Sequence, residues 1–202
     1  MATESHDRFE PVSLTPALLE QTAALTQHTL EPMIDADWSL PVPNLEWSCW
    51  QTGAHMADGY FAHAAQVLAQ PSDGFLPAEV IVDGAASPAQ LLTIIRTCAG
   101  MLACAATLAD PADRSWHPWG IADPIGSVAM GVVEGLVHTG DIATGRGVDW
   151  HPPADLCEPV LDRLFPDAPE GDPSEVLLWC TGRSALPDLA RQVEWRWYCS
   201  VR

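Results

Sequence analysis

Glu134 and His138 stand four residues apart within MGVVEGLVHTGDIATG. In a helix that spacing sends both side chains out of one face, a turn apart, so a carboxylate and an imidazole can reach one ion. The neighbouring residues are mostly apolar. An unpaired carboxylate among them would cost several kcal/mol unless a metal or a partner compensates it. His55 has small neighbours on a second apolar segment and is a candidate third ligand. Two imidazoles and a carboxylate leave a coordination position for water or substrate, as catalytic rather than structural zinc sites do. Spacing alone keeps a plainer alternative open, since Glu-x-x-x-His on a helix is also a common surface or capping pair.

Two acidic residues extend the pattern. Asp141 lies three residues beyond His138 and Asp58 three beyond His55, so each can accept a hydrogen bond that orients an imidazole; ordinary surface aspartates are the alternative. No general acid or base is assigned. His63, His117 and His151 are read as structural or solvated, and the nine Trp as core packing or as walls of a pocket.

Four helices must position these groups. Thr15-Pro16 offers a cap followed by proline at the first helical position, predicting a helix to about Leu30 before Pro32. Ser48 caps a second helix reaching about Gln70, with Trp50, Ala54, Ala57, Phe61, Ala64 and Leu68 as its inward stripe. Ser87-Pro88 opens a third, with Leu91, Ile94, Ile95, Cys98, Met101, Leu102, Ala105 and Leu108 as a wide buried face that Pro111 closes. Asp123-Pro124 opens the fourth, with Gly145 as its stop and Glu134 and His138 beside its apolar stripe. Strand-like alternation is nearly absent, so the expected fold class is all-α, a four-helix bundle over residues 1–148. Residues 149–202 are expected to form a C-terminal appendage: a short helix through Leu156, Val160, Leu161 and Leu164, another over VLLWCTG ended by Gly182, and a last segment, VEWRWYC, pairing as an edge or packing across the bundle.

Composition excludes several partners. The chain has 202 residues, 48% of them hydrophobic, enough for one core. Its formal charge of −18, with nine Arg and no Lys, opposes binding to nucleic acid or anionic lipid. No signal-like start and no run of ~18 uninterrupted apolar residues is seen, so a cytoplasmic protein is expected. Lysine-free, Ala- and Pro-rich usage points to a GC-rich bacterial genome. The six Cys form no C-x-x-C pair and are read as small apolar residues.

PVPNLEWSCWQTGAHMADGYFAHAAQ, WHPWGIADPIGSVAMGVVEGLVHTGDIATGRGVDWHPPADLC and LLWCTGRSALP together resemble the actinobacterial mycothiol-dependent maleylpyruvate isomerase N-terminal domain family, part of the wider DinB-like metalloenzymes. The resemblance covers nearly the whole chain and implies a DinB-like four-helix bundle. It also implies a divalent metal, Zn above all, with Fe, Ni or Mn as alternatives, held by a histidine of the second helix and the Glu-x-x-x-His pair of the fourth, here His55, Glu134 and His138. Arg183, a substrate-binding candidate, matches a recurring arginine, implying a bidentate grip on a thiol's carboxylate, with an intrachain salt bridge as the alternative. The implied activity is transfer or isomerisation by a low-molecular-weight thiol such as mycothiol acting on a small electrophile, in a monomer or homodimer. The chain lacks the isomerase's full C-terminal domain, which argues against maleylpyruvate as substrate. A second expectation keeps the metal but not the thiol: a protein that binds or rearranges a specialised metabolite.

Overall fold

The computed structural model describes residues 12–43 and 45–202 of the chain. Local capping bonds start several of its helices, though not the first, where the expected Thr15 cap forms no side-chain hydrogen bond. Helix α1 (Pro16–Leu30) and a 3-10 turn (Glu31–Met33) are followed by α2 (Cys49–Ala69), α3 (Pro88–Leu108) and α4 (Pro124–Gly145). Ser48 Oγ accepts the Gln51 N–H at 3.1 Å while Gln51 Oε1 accepts the Ser48 N–H at 2.9 Å, a reciprocal capping box. Ser87 and Gln90 repeat it at the start of α3. Asp123 Oδ1 takes the Gly126 N–H at 2.8 Å and starts α4.

The molecule is mostly helical. Helix α2 packs on α3 and α4, and α1 packs on α3 and α4. Two shorter helices follow, α5 (Ala154–Leu164) on α4 and α6 (Pro173–Cys180) on α5. Helix α5 buries the expected Leu156, Val160, Leu161 and Leu164. Between α3 and α4 a small antiparallel hairpin, β1 (Ser115–His117) and β2 (Gly120–Ala122), departs from the expected absence of strands. Its register pairs Ser115 with Ala122 and His117 with Gly120, with Gly120 in a positive-φ conformation at the turn. The final segment packs across the fold: Ser200 bridges to Ala122, and Trp197 and Cys199 are buried. Arg163 of α5 ties it down, donating to Asp123 Oδ1 at 2.7 Å and the Cys199 carbonyl at 2.8 Å.

Several expectations about faces are corrected. Helix α2 turns Cys49, Gly53, Met56, Tyr60, Ala64 and Val67 inward, whereas Trp50, Ala54 and Phe61 are half-buried and Leu68 is exposed. Apolar residues occupy two neighbouring stripes of this helix, and the stripe carrying Met56 and Tyr60 meets the other helices. Helix α3 likewise buries Leu92, Ala99 and Ala103 but exposes Met101 and Leu108. By length and composition α3 could cross a membrane, yet half of its apolar window is buried inside the protein. Five of the cysteines are buried, but Cys104 is exposed. Gly145 ends α4 without being its stop; Gly147, at φ +77°, turns the chain so that the Val148 N–H reaches the Ala143 carbonyl.

Helix α4 is the central element. Eighteen of its residues are buried, on every side, because α1, α2 and α3 cover part of it and α5 covers another. Glu134 and His138 are therefore not on a stripe's edge but inside. Gly131 and Gly135 permit this depth: a Cβ on Gly131 would lie 2.8 Å from Leu102 Cδ2, and one on Gly135 would collide with the Tyr60 hydroxyl.

Candidate metal centre

His55 leaves α2 and meets the two α4 side chains between the helices. Glu134 Oε2 lies 3.1 Å from His138 Nε2 and 3.5 Å from His55 Nε2. One donor atom from each of the three residues falls within 4.8 Å of the other two. Bonds of ~2.0–2.1 Å around a tetrahedral ion place ligand atoms ~3.3 Å apart, so two edges of the triangle already have coordination length. The rings of His55 and His138 stand edge to face, with centroids 5.2 Å apart.

The α4 half of the centre is held by a chain of hydrogen bonds. His138 Nδ1 faces Asp141 Oδ2 at 2.9 Å, so that when the ring is neutral a proton held on Nδ1 would leave Nε2, the atom beside Glu134, with its lone pair. Asp141 is in turn gripped by Arg183, with Nε at 3.2 Å from Oδ1 and Nη2 at 2.8 Å from Oδ2. Arg183 also donates from Nη1 to the Thr181 carbonyl at 2.7 Å, just past α6, and its guanidinium sits 5.9 Å from the Trp195 ring centroid. Arg183 thus makes the salt bridge that the sequence left open as an alternative, while also lining the cavity at the centre. Asp141 is buried and orients an imidazole as expected; it is no surface residue.

Asp58 does not do the same for His55. Its Oδ1 accepts the Val80 backbone N–H at 2.7 Å and anchors the loop between α2 and α3. Equal spacing in sequence did not give equal roles, because a loop amide competes for the α2 carboxylate and none reaches the α4 one. His55 is backed instead by the Trp47 ring, 4.7 Å away between centroids.

Charge is concentrated here. Burial acts to raise the Glu134 carboxyl, but the two imidazoles overcome it and hold the group well below the usual carboxylate range. Burial acts to lower His138, and Asp141 and Glu134 reverse that, pushing it up to about 9. Burial also opposes ionisation of Asp141, yet His138 and Arg183 keep its carboxyl lowered. Even so, Glu134 Oε2 is fully enclosed without a well-directed hydrogen-bond donor. A buried acceptor flanked by two ring nitrogens suits a cation.

Two cavities meet at the triad. One of about 230 Å³ is walled by Trp47, Val137, His138, Arg183 and Trp195; another, of about 410 Å³, is walled by residues including His63, Phe75 and His117. His55, Glu134 and Trp197 border both. Trp47, Trp195 and Trp197 were legible only as members of a Trp-rich set. His63 and His117, read from sequence as structural or solvated, are buried and face the larger cavity. His151 is exposed, near Asp149.

Compared with protein families, with curated proteins and with solved structures, the chain gives no match.

Proposed function

We propose that α1–α4, within residues 1–148, form a DinB-like four-helix bundle carrying residues 149–202 as an appendage, and that the protein is a metal-dependent transferase or isomerase. Its co-reactant is a low-molecular-weight thiol of the mycothiol kind, and its target a small electrophile. The observation that carries this reading is the convergence of His55, Glu134 and His138 within 4.8 Å beside two cavities. His55, Glu134 and His138 would hold a divalent ion, Zn or alternatively Fe, Ni or Mn, which would supply the charge to ionise a thiol or polarise a carbonyl. The chain's own groups prepare the position. Asp141 orients His138 and Arg183 holds Asp141, while Trp47, Trp195 and Trp197 wall the smaller cavity.

The larger cavity favours a second reading, a metal-binding protein that acts on or binds a specialised metabolite without a thiol. Its lining holds no arginine among the described residues. With a formal charge of −18, the same proposal places the protein in the cytoplasm as a monomer or homodimer, away from nucleic acid and membranes.

Metal analysis of the purified protein tests the first half. The expected result is one ion per chain, lost in His138→Ala; equal metal content in both refutes the centre. Thiol-dependent conversion of electrophiles, assayed with and without mycothiol, separates the readings, since turnover that ignores the thiol supports the second.

A further inference from the structure

The larger cavity has a distinct chemistry. Its α2 wall continues the His55 face through Gly59 and Ala62, small residues one and two turns on. A Cβ built on Gly59 meets nothing within 4 Å, so this glycine is not required by packing against a neighbour and simply leaves space. Aromatic surfaces complete the lining, His63 from α2 itself and His117 and Phe75 from beyond it. His63 and His117 stack at 6.2 Å and 25°, and Phe75 stands edge-on to His117 at 5.8 Å.

The polar groups in this wall are donors more than cations. His117 Nδ1 accepts the Trp119 N–H at 3.2 Å, which leaves the ring proton on Nε2. Trp197, 5% exposed, has an indole N–H with no acceptor. A buried donor left without a partner costs ~1–3 kcal/mol, which makes this indole a sensitive reporter of any change in the cavity it borders. Burial keeps both imidazoles uncharged, pushing His117 down to about 4 and lowering His63 as well. The charged residues of the lining are acidic: Asp58, Glu79 and Glu134. Apart from the proposed ion, whose charge Glu134 partly offsets, an anion would meet carboxylates here and no guanidinium.

We propose that this cavity is the electrophile chamber of the centre, and that it takes an uncharged, flat, conjugated carbonyl compound with its ring or double bond against the aromatic surface of Phe75, His63 and His117 and its oxygen toward the His117 Nε2 donor. The assignment rests on the thiol-and-metal reading above and narrows its substrate class, setting carboxylate-bearing electrophiles aside. Addition to such a compound balances without a further reagent: the S–H and the C=C π bond break, a C–S bond forms at the β carbon, and the proton ends on the α carbon. The smaller cavity, with Arg183, is left for the thiol.

Binding of two probes of similar size and shape, neutral acetophenone and anionic benzoate, tests the chamber without turnover. The readout is the indole N–H resonance of Trp197, assigned with Trp197→Phe. Acetophenone is expected to shift it and to bind at least ~10-fold more tightly than benzoate, a difference of about 1.4 kcal/mol. Gly59→Leu, which fills the space and favours the helix, is expected to abolish the shift with metal content and Tm maintained, and Gly59→Ala to keep it. Benzoate binding as tightly as acetophenone, or acetophenone binding unchanged in Gly59→Leu, overturns the proposal. His138→Ala keeps the two questions apart: loss of metal with acetophenone binding retained supports both the centre and the chamber, whereas unchanged metal content defeats the centre alone.

Discussion

The two halves of the centre are built differently. On α4, His138 is buried and locked through Asp141 to Arg183, three groups from two distant parts of the chain. On α2, the His55 side chain is 39% exposed, touches Trp47, and its neighbouring aspartate is spent on a loop. One half is fixed before any ligand arrives; the other can adjust. If an ion binds as proposed, the locked α4 ligands would set its geometry and the more exposed His55 would lie on its access side.

Removing the rigid half should have the largest effect. His138→Ala leaves Glu134 and Asp141 buried with one cation fewer, and a loss of about 3–5 kcal/mol in denaturant unfolding is expected of the metal-free protein. A loss no larger than that of His55→Ala would erase the contrast between the halves.

The pH dependence of the chelator-treated protein reads the same contrast. The folded-state pKa of His138 is raised to about 9, so its stabilising contribution is complete below the ordinary histidine value of ~6.5 and is lost as pH rises through about 9. Glu134 and Asp141 are lowered, so their contribution is present above ~4.3 and lost as pH falls further. Tm should peak between about pH 4.5 and 6.5 and decline on the alkaline side, the His138 share amounting to roughly 3 kcal/mol. With metal restored the alkaline decline should vanish, because coordination replaces the Nε2 proton. A flat metal-free profile from pH 6 to 9 would contradict the His138–Asp141 pairing.

Asp141→Asn should act on affinity more than on presence, weakening metal binding about 10–100-fold by competition titration while Asp58→Asn leaves it unchanged. Smallest in stability is His55→Ala, where a change within about 1 kcal/mol is expected, since the side chain is partly exposed. Metal should be lost all the same, and that separation of stability from binding is the sharpest form of the comparison.

Much of this was legible in the chain because it depends on near neighbours. Ser48 with Gln51, Ser87 with Gln90, and Asp123 with Gly126 mark helix starts through bonds that close within a few residues, and Pro16 marks that of α1 by its fixed φ, without a side-chain cap from Thr15. The four-residue step from Glu134 to His138 fixes their common face for the same reason. The inward faces of α2 and α3 were not legible in full, since small and apolar residues fill adjacent stripes and only the packing partners choose between them.

The sequence by itself therefore indicated the main helices and the shared face of Glu134 and His138, and it offered His55 as a candidate third ligand. Tertiary structure alone decided that α4 is enclosed on all sides, that Arg183 serves Asp141, that Asp58 serves Val80, and that His63, His117 and Trp197 border the centre. The division follows from range: a cap or a helical step is settled by local hydrogen bonds and chain geometry, whereas a buried charge takes whichever partner folding brings within reach, and that partner can lie anywhere along the chain.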